Sequence, residues 1–190
     1  MDGFFKYFES FKAENRIFDI IKEDRERNPI NIRELDKPIA IESDKNKGCP
    51  LEGSGGTWSG ERGDSKWIPK GEEIPGRYNP DDVSWKDILE KYGISSIEFE
   101  DGEPNFNEIS KGNVEIDDFT DSRRKNFTQA DEALAKEKGC SPEEVKKWRE
   151  ENGYTWHECK DRKTMQKVPS EVHNNIPHSG GISEAKKENQ

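Results

Sequence analysis

The sequence predicts an α+β chain, with a helical, loop-rich N-terminal region leading into a C-terminal β-hairpin and short helix. Three observations support this. Only 28% of the 190 residues are apolar and 38% are charged, too few apolar side chains for one generous core. Glycine and proline crowd residues 45–80. Two helices, each closed by a glycine and the second opened by a capping box, then precede two extended segments joined by a polar turn.

In chain order, Phe4, Phe8, Phe11, Phe18 and Ile21 recur at near-helical spacing, so Phe4 to Arg27 reads as an amphipathic helix. Its polar face is not predominantly basic, which favours a core or partner-docking role over a membrane-surface one. Ile39 to Ile41 reads as a short strand. Gly53, Gly55, Gly56, Gly60, Gly63, Pro69, Pro75 and Pro80 punctuate a turn-rich stretch pinned by Trp58 and Trp67. Its GSGG run lacks the following GK[ST] of a phosphate loop, and Arg62 and Ser65 read as solvent-facing. Trp85 to Tyr92 reads as a short helix with Ser84 at its N-cap and Gly93 closing it. Residues 97–99 and 114–116 read as strands, and Asp101-Gly102 is a hairpin-turn pair. Asp117, Asp118 and Asp121 read as solvated surface. A helix near Thr128 to Lys138 ends at Gly139. The next has Ser141 at the N-cap, Pro142 at N1 and Glu144 at N3, and runs to about Glu151 with Val145 and Trp148 marking its buried side. Tyr154 to Cys159 and Thr164 to Val168 form the hairpin strands, Trp156 is a core anchor, and Ser170 caps the short helix that follows.

Charge is unevenly spread. The net charge is −10, but residues 1–121 carry 17 basic against 29 acidic side chains, and residues 122–190 carry 14 against 12. A global balance of −10 argues against binding a polyanion; a C-terminal balance of +2 weakens that objection where it matters. No apolar run is long enough to span a bilayer, and no secretory signal is visible at the N-terminus. Cys49, Cys140 and Cys159 are odd in number and widely spaced, which argues against a disulfide framework or a CxxC zinc site.

All three histidines, His157, His173 and His178, lie in the last 34 residues. Imidazole suits both metal ligation and proton transfer near neutral pH, so the chemistry is expected there. The run Tyr154-Thr155-Trp156-His157-Glu158, Lys163-Thr164-Met165-Gln166, Val168-Pro169, Val172-His173 and His178-Ser179-Gly180-Gly181 resembles the signature of the HNH/endonuclease VII nuclease superfamily. The branch it is most similar to is named for a Trp-His-His and occurs as C-terminal toxin domains of bacterial polymorphic toxins. Here Glu158 stands where the second His is expected. The resemblance covers roughly residues 123–183. The GSGGTWSGERGDSKWIP block and the stretch from Ile88 to Thr120 also look like regions that precede this nuclease.

The resemblance implies a ββα-metal fold and a metal-dependent endonuclease with DNA favoured over RNA. It also implies a divalent ion (Mg, Mn, Ni or Zn), a cognate immunity protein, a delivery or carrier protein, and no membrane. The protein would be bacterial, cytoplasmic in its producer or delivered into a target cell. The expected division is 1–44 helical segment, 45–121 acidic Gly/Pro-rich α+β region and 122–190 nuclease domain. The expected catalytic residues are His157, Glu158 and Gln166, with Gln166 orienting the base, and the expected metal ligands are Glu158, His173 and His178. Successive side chains on a strand point to opposite faces, so His157 and Glu158 cannot do one job unless the strand twists. Two assignments therefore stand: His157 as base with Glu158 on the ion, or Glu158 as base with three imidazoles on the ion, which would favour zinc or another imidazole-loving metal. Pro177 disfavours helical geometry at Ile176, placing His178 beyond the helix, where Pro177 and Gly180-Gly181 can fold it back. Two non-enzymatic readings compete: an acidic DNA mimic or immunity-like inhibitor, and a zinc-stabilised interaction module.

Overall fold

The computed structural model describes residues 46–188, which lie in one compact unit, Glu42–Gln190. The expected helix at Phe4 to Arg27 and strand at Ile39 to Ile41 lie outside the described residues. The described chain is mixed α+β, as predicted. Its elements are β1 (Gly56–Trp58), β2 (Lys66–Pro69), α1 (Trp85–Lys91), β3 (Ile97–Glu100), β4 (Glu103–Asn105), β5 (Asn113–Glu115), α2 (Arg123–Lys138), α3 (Pro142–Glu151), β6 (Tyr154–Glu158), β7 (Thr164–Pro169), α4 (Ser170–His173) and α5 (Gly181–Glu188). They form an antiparallel four-stranded sheet, β1-β2-β3-β4, and a three-stranded sheet, β5-β7-β6.

Local signals set several of these elements. Ser84 and Asp87 form a capping box on α1, and Ser141 and Glu144 form one on α3 behind Pro142. Asp101 and Gly102 both take positive φ, 48° and 73°, as the tight β3–β4 turn demands. The hairpin β6–β7 pairs Tyr154 with Pro169 and His157 with Gln166. Two expectations shift by a few residues. The α2 helix begins at Arg123, not Thr128, and Pro169 occupies the N-cap position of α4 with Ser170 already helical.

Two apolar clusters hold the unit together. Trp67, Trp85, Ile88, Ile97, Phe99 and Phe106 pack with Val168, Val172 and Ile176. Val114, Ala130, Leu134, Val145, Trp156 and Met165 form the other. Met165 and Val168 of β7 therefore belong to different clusters, and this strand is buried on both faces. The expected division at residue 121 is crossed by both. β5 pairs with β7 through Asn113↔Gln166, and the first cluster joins side chains from before and after that point.

One expectation for α3 is corrected. Trp148 is 41% exposed, while Arg149 is buried at 7%. Val145 and Arg149 are one turn apart and share the inward face. Arg149 reaches Asp131 on α2 with Nη2 3.0 Å from Oδ2, and the Trp156 indole N–H donates to Asp131 Oδ1 at 2.8 Å. Trp148 instead lies against Tyr154 and under the Lys167 ammonium, 4.2 Å from its ring. Removing either partner of the Asp131–Arg149 pair would leave a buried charge, a cost of about 3–5 kcal/mol. The pair also holds Trp156, as expected a buried anchor, directly beside His157.

Candidate metal and nuclease site

Strand alternation sorts the residues at the end of β6. Trp156 and Glu158 face α2, and His157 faces α4 and the segment beyond it. All three are buried, at 1%, 4% and 1% exposure respectively. His173 is the last residue of α4. His178 follows Pro177, past the helix end, and is returned to the cluster by the next turn. That return depends on two glycines. A Cβ on Gly180 would sit 2.6 Å from the Glu158 carbonyl oxygen, and one on Gly181 would sit 2.4 Å from that of Cys159. Both approaches are to backbone, so no side-chain movement relieves them.

The result is a triangle of imidazoles. One ligand nitrogen from each of His157, His173 and His178 lies within 4.8 Å of the other two. His157 Nδ1 and His173 Nε2 are 3.2 Å apart, close to the ~3.3 Å edge of a tetrahedron built on metal–nitrogen bonds of ~2.0–2.1 Å. The outer hydrogen bonds set the tautomers. His178 Nδ1–H donates to the Ile176 carbonyl at 2.8 Å, and His173 Nδ1–H donates to Asn174 Oδ1 at 3.0 Å. Each therefore presents a lone pair on Nε2. His157 Nε2, on the far side of its ring, is buried without a hydrogen-bond partner, and the Glu103 carboxylate lies 3.4 Å away out of alignment. A metal on Nδ1 would require the proton on Nε2, facing that carboxylate. Phe106 closes the triangle from below, its ring centroid 5.1, 5.7 and 6.1 Å from those of His157, His173 and His178.

The donor set fits a divalent ion. Three imidazoles suit zinc or nickel better than magnesium. Burial, then the neighbouring His178 and His157, hold the pKa of His173 well below the ordinary 6.5. Burial, then His157, push that of His178 down to about 3. Both imidazoles are thus neutral, as ligands must be. A second group, Glu103, His157 and Cys159, lies on the Nε2 side. Burial, then Glu103 and Asp161, push the Cys159 thiol up.

These shifts give a stability prediction for the metal-free protein. The folded pKa values lie below the unfolded value of 6.5, so the unfolded chain takes up protons that the folded one resists. The stability contributed is fully present above pH 6.5 and is lost as pH falls from there toward 3. Urea unfolding in EDTA at pH 7.5 and pH 5 checks this; equal midpoints would contradict it.

The other expected residues are placed differently. Glu158 is not in the triangle. Its Oε1 accepts from Asn126 Nδ2 at 2.8 Å and its Oε2 from Arg123 Nε at 3.0 Å. Asn126 is itself fixed by Thr120, accepting from its N–H at 2.9 Å and donating to its carbonyl at 2.8 Å. Gln166 lies opposite His157 in the hairpin, but its amide donates to Asn107 Oδ1 at 2.7 Å and does not orient the imidazole. Among the described residues, Asp117, Asp118 and Asp121 form no metal-binding group. Sequence reasoning missed Arg123, Asn126, Glu103 and Phe106. Arg123 and Asn126 are three apart on the first turn of α2, a spacing readable once the helix is started at Ser122. Glu103 and Phe106 carry no local signal.

The triangle opens onto a cleft of about 190 Å³, lined by Arg77, Arg123, His157, Glu158, His173 and His178 among others. Imidazole ligands, a carboxylate and two guanidinium groups around one opening can hold a metal, accept a proton and receive a phosphate. Among the described residues no helix is long and apolar enough to cross a membrane. No curated protein matches the chain. Residues 96–180, which contain all three histidines, Glu158, Arg123 and Glu103, match the DNase/tRNase domain of colicin-like bacteriocins.

Proposed function

We propose that the protein is a metal-dependent endonuclease of the HNH type that hydrolyses phosphodiester bonds, with DNA favoured over RNA, and acts as a bacterial toxin or effector. The observation that carries this is the convergence of three imidazoles at the mouth of a cleft that also presents Glu158, Arg123 and Arg77. A closed structural zinc site would have four protein ligands; here the three imidazoles open onto that cleft.

Of the two role assignments the sequence leaves open, the geometry supports the second. His157 through Nδ1 and His173 and His178 through Nε2 would hold the ion, with zinc or nickel preferred over manganese and magnesium. When bound, a divalent ion neutralises charge on the scissile phosphate and on the leaving oxygen. Glu158 lies on the other face of β6 at the same opening, and its lone pairs not used by Arg123 and Asn126 accept the proton of the attacking water. Arg123 pairs with that carboxylate at 3.0 Å and holds it at the cleft. Gln166 is assigned a structural part only, fastening β7 to Asn107. A cognate immunity protein, as colicin-like toxins usually have, and a carrier for delivery are part of this reading.

Plasmid DNA and a folded RNA incubated with the purified chain and Zn, Ni, Mn or Mg would test it. Cleavage should need the ion and stop in excess EDTA. Cleavage undiminished by the chelator would remove the metal mechanism.

A further inference from the structure

We propose that Arg77, contributed by the loop between β2 and α1, is a phosphate-contacting residue for the bound nucleic-acid strand and that Asn175 holds it in place. The inference rests on the nuclease reading above and extends it to a part of the chain outside residues 96–180, the segment with family similarity.

Arg77 lines the cleft onto which the three imidazoles open. Its loop has no regular structure of its own, and at Arg77 and Tyr78 the Asn175 side-chain amide holds the main chain. Asn175 Oδ1 accepts from the backbone N–H groups of Arg77 at 2.9 Å and Tyr78 at 3.2 Å. Asn175 Nδ2 donates to the carbonyls of Tyr78 at 2.6 Å and Glu171 at 2.8 Å. Asn175 lies two residues after His173, so the clamp ties the Arg77 backbone to the turn that carries a metal ligand. All four contacts go to main chain, and Asn175 thus sets the position of the loop without regard to its side chains.

The charges of the cleft point the same way. Arg123 is 3.0 Å from the Glu158 carboxylate, which takes up much of its charge. Among the described residues the Arg77 guanidinium has no carboxylate or hydrogen-bond partner. An exposed, unpaired guanidinium beside a metal site, on a fixed main chain, offers the forked donor geometry that a phosphodiester oxygen pair accepts. Such a contact would position the strand without reading its bases. DNA and RNA share this chemistry.

The test uses the full chain, loaded with zinc, in a Glu158→Gln background that slows cleavage. A fluorescein-labelled 20-base-pair DNA duplex and an RNA hairpin would be titrated by anisotropy at several salt concentrations. Arg77→Ala should weaken binding about tenfold and reduce the slope of log K against log salt by about 1. Arg77→Lys should recover part of both. Asn175→Ala, which changes no charge, should weaken binding while leaving more of the salt slope. Zinc affinity and the unfolding temperature of Arg77→Ala should match the parent, which separates strand binding from damage to the fold. If Arg77→Ala binds both nucleic acids with the parent's affinity and slope while the wild-type chain cleaves, this inference fails and the nuclease reading stands. A wild-type chain that neither binds nor cleaves overturns both. A loss confined to DNA or to RNA supports the contact and identifies the strand.

Discussion

His157→Ala and His173→Ala are both expected to weaken zinc binding strongly and to lower cleavage about 1,000-fold, whereas Glu158→Gln should keep zinc and lose turnover. The reasoning is geometric. His157 Nδ1 and His173 Nε2 face each other at 3.2 Å across the position an ion would take, while both Glu158 oxygens point to α2. Removing a ligand forfeits several kcal/mol of charge stabilisation in the transition state, and each 1.36 kcal/mol is tenfold in rate. Removing a proton acceptor costs ~100- to 10,000-fold without touching the ion. Calorimetric titration with zinc, set beside plasmid cleavage for each variant, distinguishes the two kinds of loss. If His157→Ala binds zinc normally and Glu158→Gln does not, the roles are the reverse and the first of the two sequence-based assignments is restored.

That ambiguity shows what a sequence can and cannot state about this site. The three histidines were legible because the residue type is rare and confined to one run. Period-2 alternation also said that His157 and Glu158 must face opposite ways. It could not say which face the other two histidines would occupy, because that depends on how α4 and the turn through Gly180 and Gly181 return to β6. The starts of α1 and α3 and the Asp101-Gly102 turn were legible because caps and positive φ are satisfied within a few residues. The inward face of α3 was not. Val145 was visible, but Trp148 looked like its natural partner until Asp131 on another helix turned Arg149 inward. Phe106 and Glu103 were beyond reach for the same reason. Glu103 opens the short strand β4 and Phe106 follows it, and both are brought to the imidazoles only by the pairing of β3 with β4 and of β5 with β7.

A fragment of residues 122–190 should therefore fail to fold cooperatively and fail to cleave, while residues 46–190 should do both. The short fragment contains every histidine, and its charge balance is the more favourable one for a polyanion. It lacks β5, which pairs with β7 from Asn113 to Glu115. It also lacks Phe106, the floor of the triangle, and Trp67, Trp85, Ile88, Ile97 and Phe99, against which Val168, Val172 and Ile176 pack. Truncating one large buried side chain typically costs ~2–5 kcal/mol, and the whole stability of a domain is about 5–15 kcal/mol. Losing six at once exceeds what metal binding alone would be expected to restore in this setting, because α4, which carries His173, would have one face uncovered. Circular dichroism with thermal melting, with and without zinc, followed by plasmid cleavage, compares the two fragments. A cooperative melt and cleavage from residues 122–190 would show that the triangle assembles without Phe106 and β5. The catalytic unit would then end where the charge changes sign, not where the core does.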